Sequence, residues 1–254
     1  MSRIAGPRAV VTGAGGPMGR AAARRLVAAG AEALALTDIS GARLAETATA
    51  LAAEHPALRI EALRADVTVA AEAEAFAAMV LDRLDGADVL VNTVGGIRSP
   101  RLYTPFLEMD EAQFRATLDL NLMGNFHLIR AFAPGMVARG LGRIVNFASI
   151  VLAGEAGQAD YAAAKAATAS LTRSLAAELA PAVTVNAVAP GLTRTSVTQN
   201  IPPAEATRLT ALAFNRRMAE PDEIAEAVAF FASDAARFVT GEIIAVSGGI
   251  HPHL

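Results

Sequence analysis

The sequence predicts an open, doubly wound α/β domain, a seven-stranded parallel sheet with helices on both faces. Three observations lead there. Short β-branched runs alternate with long alanine-rich amphipathic runs, the pattern of βαβ units. A glycine-dense turn, VTGAGGPMGR, follows the first such run and opens the first helical pattern. No Pro/Ser-rich linker, charge block or internal repeat breaks the alternation, so a single domain over 1–254 is expected.

Taken in order, the runs that read as strands are Ala9–Thr12, Leu34–Thr37, Arg59–Ala65, Asp88–Asn92, Arg143–Ala148, Val183–Val188 and Ile243–Val246. Helices are expected between them, at Met18–Ala29, Gly41–Glu54, Ala70–Leu84, Glu111–Arg139, Tyr161–Leu179, Ala204–Phe214 and Pro221–Ser233. Punctuation residues support several boundaries. Gly30 follows the first helix where a left-handed residue is wanted, and Ser40 can cap the second. Pro221-Asp222-Glu223 opens the last with a fixed φ and early negative charge. In such a sheet, ligands bind at the carboxyl ends of the strands.

Composition narrows the function classes. Hydrophobic residues make up 53%, but much of this is alanine, and no apolar run reaches the ~18 residues of a membrane span. The start, MSRIAGPRAVV, lacks the charged, apolar and cleavage regions of a signal peptide. Without cysteine there are no disulfides, thiolate metal sites or cysteine nucleophiles. The four histidines show no ligand spacing apart from the terminal pair His251 and His253, and two ligands make an incomplete site, so no metal is expected. A formal charge of −3 with no basic run argues against nucleic acid. A soluble, cytoplasmic protein with a small-molecule ligand is the expectation.

The glycine turn points to that ligand. Glycines let the backbone approach a pyrophosphate, and the helix N-terminus behind them supplies free N–H groups and partial positive charge. Gly13, Gly16 and Gly19 shape the turn, and Met18 offers an N–H. Pro17 has no N–H, but at the first helical position it has no helical partner to lose, and its fixed φ suits the place. Asp38, with Ile39 beside it, ends the second strand 19 residues beyond Gly19. A carboxylate there either accepts from the ribose hydroxyls of an adenine nucleotide or caps the turn before the second helix. In the first case it repels a 2′-phosphate, which predicts NAD over NADP.

Tyr161 and Lys165 stand four apart in YAAAK, hence on one helix face. A nearby ammonium favours a phenolate, so the pair can exchange a proton with an alcohol or a carbonyl. Ser149 ends the strand RIVNFAS at the ligand-binding edge. It has no histidine near it in sequence, which excludes a hydrolase triad.

With Asp66 in ADV, Asn92 in LVNTVGG, Asn121 in LDLNLMG and Pro190-Gly191 in VNAVAPG, these motifs occur in an order that resembles the short-chain dehydrogenase/reductase family. The resemblance spans essentially the whole chain, in the single-domain Rossmann-type form of about 250 residues. It implies Tyr161 as acid/base, Lys165 as its partner and nicotinamide-ribose ligand, Ser149 on the substrate oxygen, and Asn121 on a water leading to Lys165. It further implies Asp66 and Val67 at the adenine, Asn92 and Gly95 beside the cofactor, and Pro190, Gly191, Thr193 and Thr195 at the carboxamide. Gly16 stands where NADPH-using members often carry Arg or Lys, in agreement with Asp38. Three features depart from the family pattern. Asn-Asn-Ala-Gly is replaced by Asn92-Thr93-Val94-Gly95, which loses an amide that ties strands together. Ser247 replaces a frequent acid, and the Ser149–Tyr161 loop is slightly short.

The pocket implied by the resemblance is apolar. Ile97, Leu102 and Tyr103 come from the loop after the fourth strand (95–106), and Ile150 and Leu152 from the next (150–160). Leu192, Val197 and Phe214 come from the segment 192–215. The expected substrate is a secondary alcohol or ketone with a hydrophobic body. Arg98 and Arg101 either face solvent or meet an anionic group. The expected enzyme is an NAD-dependent alcohol dehydrogenase or ketone reductase. The alternatives are an NADPH-dependent 3-oxoacyl thioester reductase and a non-catalytic nucleotide sensor or scaffold with the same fold. By the same resemblance the chain forms a homotetramer, its tail (250–254) reaches a subunit interface, and His127 is a packed helix histidine.

Overall fold

The computed structural model describes residues 4–99, 101–195 and 198–250. Val197, His251 and His253 lie outside the described residues.

Seven strands form one parallel sheet: β1 (Arg8–Thr12), β2 (Ala33–Thr37), β3 (Arg59–Ala62), β4 (Val89–Asn92), β5 (Gly142–Phe147), β6 (Val183–Pro190) and β7 (Ile243–Val246). Their order, β3-β2-β1-β4-β5-β6-β7, reverses direction between β1 and β4. That crevice is where an open α/β sheet receives a nucleotide. The connecting helices are α1 (Pro17–Ala28), α2 (Gly41–Glu54), α3 (Ala70–Leu84), α4 (Glu111–Arg139), α5 (Ala159–Glu178), α6 (Pro203–Leu212) and α7 (Pro221–Ala232).

Side-chain alternation along the strands divides the core. Val11, Leu34, Leu36, Val91 and Val145 point to one face, where they meet Leu26 of α1, Leu51 of α2 and Phe231 of α7. Val10, Ala35, Leu90, Ile144 and Val185 point to the other, under Phe76 of α3 and Phe132 of α4. Both faces are covered, which is why the strands read as continuous apolar runs rather than as alternation. Phe76, Phe132 and Phe231 are fully buried, and truncating any one to alanine would cost about 3–5 kcal/mol. α6 buries no side chain in this core.

The expected caps are present. The Ser40 hydroxyl accepts from the Arg43 N–H, and Glu220 and Glu223 form a reciprocal capping box around Pro221. α4 is capped by Asp110 and closed by Gly140 at φ 67°. The predicted spans are recovered to within three residues at each end. β3 stops at Ala62 instead of Ala65, because only isolated bonds continue past it, from Leu63 N–H to Leu36 C=O and from Ala65 N–H to Asp38 C=O. β6 runs on to Pro190 because β7 continues beside it, pairing Ala189 with Ala245 and Pro190 with Val246. Among the described residues, no helix is long and apolar enough to cross a membrane.

Candidate active site

The carboxyl end of β1 builds the glycine turn. Gly16 N–H bonds back to Gly13 C=O, and the first bond of α1 runs from Arg20 N–H to Gly16 C=O. Gly16 is the extended N-cap and provides no side-chain cap, while Pro17 occupies the first helical position as expected. The N–H groups of Met18 and Gly19 therefore precede the intrahelical ladder and face the crevice, an arrangement suited to an anion. A Cβ at Gly19 would collide with the Gly13 carbonyl, so only glycine lets helix and turn close.

Asp38 is 5% exposed at the end of β2. Its Oδ2 accepts from Gly15 N–H at 3.0 Å, and Oδ1 from Ser40 N–H at 2.8 Å and Arg43 Nη2 at 3.2 Å. The carboxylate thus caps its turn and also faces the glycines, with one of its roughly four lone-pair sites unused, on Oδ2. Arg43 went unnoticed in the sequence. It lines a groove of about 640 Å³ with Gly15, Gly16, Pro17 and Arg20. Ile39 is half exposed beside it.

Asp66 accepts from both Thr68 N–H and Thr68 Oγ1, which turns the chain after β3. Val67 is buried, and its carbonyl lies 2.9 Å from His127 Nδ1 on α4. His127 is packed on α4 and thereby ties that helix to the loop after β3.

After β4 the chain is tied in ways the motif did not reveal. Asn92 Nδ2 donates to Asn146 Oδ1 at 3.0 Å within the sheet, while Asn92 Oδ1 is buried without a protein partner. The missing family amide at Thr93 is made good. The Thr93 hydroxyl donates to Thr12 C=O, and Thr12 Oγ1 accepts from Thr93 N–H at 3.0 Å. At Gly95 a Cβ would lie 2.5 Å from Asn121 Oδ1 and 2.8 Å from Lys165 Nζ. Glycine here keeps these two side chains beside the chain.

Asn121, Ser149, Tyr161 and Lys165 come from α4, the end of β5 and the first turns of α5. Asn121 is 1% exposed and holds Gly96 from both sides: Oδ1 accepts its N–H, and Nδ2 donates to its carbonyl. Ser149 Oγ accepts from Val151 N–H at 3.3 Å and faces the Tyr161 phenol. Lys165, 3% exposed, donates to Phe147 C=O at 2.7 Å and lies 5.6 Å from the centroid of the Tyr161 ring. Burial pushes the Tyr161 phenol above its ordinary value, an effect tempered by Ser149. Burial pulls Lys165 down to about 7. Both shifts oppose charge, so the protein alone holds this pair near neutrality.

The segment beyond β6 packs against the end of β7. Gly191 N–H bonds Val246 C=O, and a Cβ on Gly191 would press on Ser247. Thr193 Oγ1 donates to Gly191 C=O, and Thr195 N–H to Thr198 Oγ1. The three predicted pocket segments converge. Thr104 N–H bonds Gly157 C=O, Gln158 Nε2 bonds Leu102 C=O, and Tyr103 meets Arg208 of α6. Ile150 packs with Ala213 and Ile250, and Leu152 with Ala187 and Ala189. Ile97 and Leu192 are half-buried, while Phe214 is exposed over Gly249. Arg101 pairs with Glu108 at 3.0 Å, and Arg98 is exposed. Asp160 and Thr117, which sequence reasoning passed over, bond each other at 2.8 Å next to Tyr161.

Comparison with known proteins decides the family. Residues 13–251 match the family model described as enoyl-(acyl carrier protein) reductase. The 3-oxoacyl-[acyl-carrier-protein] reductase FabG of Vibrio cholerae is 35% identical over 250 residues, 98% of each chain. The chain belongs to the short-chain dehydrogenase/reductase family. The solved structure of levodione reductase superposes with a TM-score of 0.92 at 29% identity, covering 99% of this chain and 100% of that one. A short-chain type dehydrogenase/reductase from Mycobacterium ulcerans gives 0.89 at 28%, covering 98% and 91%. This short-chain dehydrogenase/reductase is thus an oxidoreductase of a family that binds a nicotinamide cofactor. The uncapped N-terminus of α1, the spare acceptor of Asp38 and the close turn that Gly19 permits fit such a dinucleotide.

Proposed function

We propose that this enzyme uses NAD(H) to interconvert a secondary alcohol and a ketone with a hydrophobic body. The observation that carries the reading is the Ser149–Tyr161–Lys165 array at the carboxyl edge of β5. Met18 and Gly19 would receive the pyrophosphate, Asp38 the adenine ribose, and Asp66 and Val67 the adenine. Asn92, Gly95, Pro190, Gly191, Thr193 and Thr195 would border the nicotinamide end. When bound, the nicotinamide supplies the hydride acceptor or donor.

The chain's own residues do the rest. Ser149 orients the substrate oxygen. In oxidation the Tyr161 oxygen takes the hydroxyl proton, and in reduction it returns one to the carbonyl oxygen. Lys165, held by Phe147, stabilises the phenolate that this requires, and Asn121 keeps the adjoining loop in place. The tethered pocket segments exclude water and fix the substrate, so positioning supplies much of the rate.

Asp38 supports NAD, because a carboxylate at the ribose repels a 2′-phosphate. Arg43 favours a second reading. Its guanidinium borders the same groove as Arg20, and with the acyl-carrier-protein reductase as a relative it supports an NADPH-dependent 3-oxoacyl thioester reductase. A single domain (1–254) with its unbroken alternation of strands and helices, a cytoplasmic location in line with the composition, and a homotetramer by family resemblance complete the proposal.

The deciding experiment assays NADH and NADPH side by side with graded ketones and acetoacetyl-CoA. Preference for NADH with simple ketones supports the reading, and clear preference for NADPH with the thioester replaces it. Tyr161→Phe should keep cofactor binding and abolish turnover; retained turnover would refute the role of Tyr161.

A further inference from the structure

The chemistry above makes no use of Asp160, although it stands beside Tyr161 and is 1% exposed. A carboxylate so buried is costly unless its oxygens are satisfied. Oδ1 accepts from Tyr161 N–H at 2.8 Å. Oδ2 accepts from the Thr117 hydroxyl at 2.8 Å and from Gln113 Nε2 at 3.2 Å, both on α4. Thr117 is fully buried and passes the connection on, its Oγ1 accepting from Arg98 N–H at 3.2 Å in the loop after β4. A hydroxyl has one proton. Donating it to Asp160 leaves the oxygen to receive Arg98, so an acceptor at residue 160 sets the direction of the whole chain of bonds.

We propose that Asp160 is a positioning residue that, through Thr117, sets the register between the substrate-side loop and the first turn of α5 that carries Tyr161. The proposal rests on the reading of Tyr161 as the acid/base. An amide at position 160 would turn an N–H₂ toward Thr117 and Gln113, and one of those bonds would be lost. The rival role is a plain one, an acidic residue in the first turn interacting with the dipole of α5. That role would stabilise the helix without reaching the loop.

Hydrogen exchange by mass spectrometry on the full chain separates the two and needs no substrate. Asp160→Asn and Thr117→Val should each speed exchange in the peptide containing Arg98. The double variant should be no faster than either single one, and Thr117→Ser should restore protection. In turnover with NADH and ethyl acetoacetate, Asp160→Asn should lower kcat about tenfold while the KM for NADH stays within about twofold. Unchanged exchange at Arg98, with only a lowered melting temperature, would overturn the proposal in favour of the dipole role. Should Asp160→Asn fail to fold, Thr117→Val decides: unaltered exchange at the start of α5 overturns the proposal. Undiminished turnover in Tyr161→Phe would instead count against the proposed chemistry, a separate result.

Discussion

Lys165 Nζ donates to the backbone carbonyl of Phe147 at 2.7 Å, which moors the ammonium to the last residue of β5. Burial lowers this lysine to about 7 and raises Tyr161, so the first proton leaves Lys165 near neutral pH, and passing the phenol's proton to that amine then gives the phenolate beside an ammonium. Alcohol oxidation needs the pair one proton short. The kcat/KM for oxidation should therefore rise with pH through about 7, and that for ketone reduction should fall over the same range. Lys165→Met should move this limb to higher pH, because the phenol then titrates alone. A limb left where it was would mean that another group governs it.

The lowered lysine also makes a prediction about stability. Between about 7 and 10.5 the unfolded chain carries a proton on Lys165 that the folded chain has lost. Unfolding free energy therefore rises with pH across that window, as linkage requires when the unfolded state binds more protons. Below pH 7 both states are protonated and the burial penalty is fully in force. Urea melts of wild type and Lys165→Met should show the wild type gaining on the variant between pH 7 and 10. The gain should be at most a few kcal/mol, since a tenfold change in proton affinity corresponds to about 1.4 kcal/mol. A constant difference across that range would contradict the buried, half-neutral lysine.

Gly95 offers a sharper test of the site's packing. The added methyl of Gly95→Ala would fall 2.5 Å from Asn121 Oδ1 and 2.8 Å from Lys165 Nζ. Either side chain must move, and displacement of an oriented group by about 1 Å is worth on the order of 100-fold in rate. We expect kcat to fall by about that factor, with about 1–3 kcal/mol lost in stability from overpacking. Steady-state kinetics beside thermal melts would check this. Near-normal kcat would show that Lys165 and Asn121 do not need their present positions.

Thr93 should matter for stability and not for chemistry. The β1–β4 ladder ends with Val11 beside Val91, and the Thr93 and Thr12 hydroxyls extend the tie one step past it. Thr93→Val removes the donor to Thr12 C=O and should cost about 1–2 kcal/mol in denaturant melts. The kcat should stay within about twofold. A large loss of kcat with unchanged stability would place Thr93 at the reaction instead.

The pattern of legibility follows from sequence distance. β1 and β4 were readable because both faces of the sheet are covered, and α2 and α7 because Ser40 and Pro221 signal their starts locally. Tyr161 and Lys165 were readable because a helix turn brings residues four apart together. The ties that hold the site join residues far apart: Asn92 to Asn146, His127 to Val67, Thr117 to Asp160 and Thr93 to Thr12. Nothing in local periodicity encodes such pairs. Asp160 in particular precedes the span predicted as helix, Tyr161–Leu179, and only the packing of α4 on α5 gives it partners. Arg43 escaped for a different reason: it is only five residues from Asp38, but their contact depends on how the chain turns from β2 into α2.

On the proposed NAD(H) reading, cofactor choice is a balance between the charges of Arg43 and Asp38. In the wild type the Arg43 guanidinium lies 3.2 Å from Asp38 Oδ1, so its charge is already engaged by that carboxylate. Asp38→Ser removes the repelling carboxylate and releases the arginine at once. Each charge interaction near a partly exposed site is worth about 1–3 kcal/mol, so the ratio of kcat/KM for NADPH over NADH should rise by about 100-fold. Asp38→Ser combined with Arg43→Ala should give back most of that gain. The variant also unties the N–H groups of Gly15 and Ser40, which should lower stability by about 1–2 kcal/mol and weaken NADH binding. Competition titrations with both reduced cofactors separate these effects. If NADPH binds Asp38→Ser no better than wild type, Asp38 is only the cap of its turn, and cofactor choice lies elsewhere.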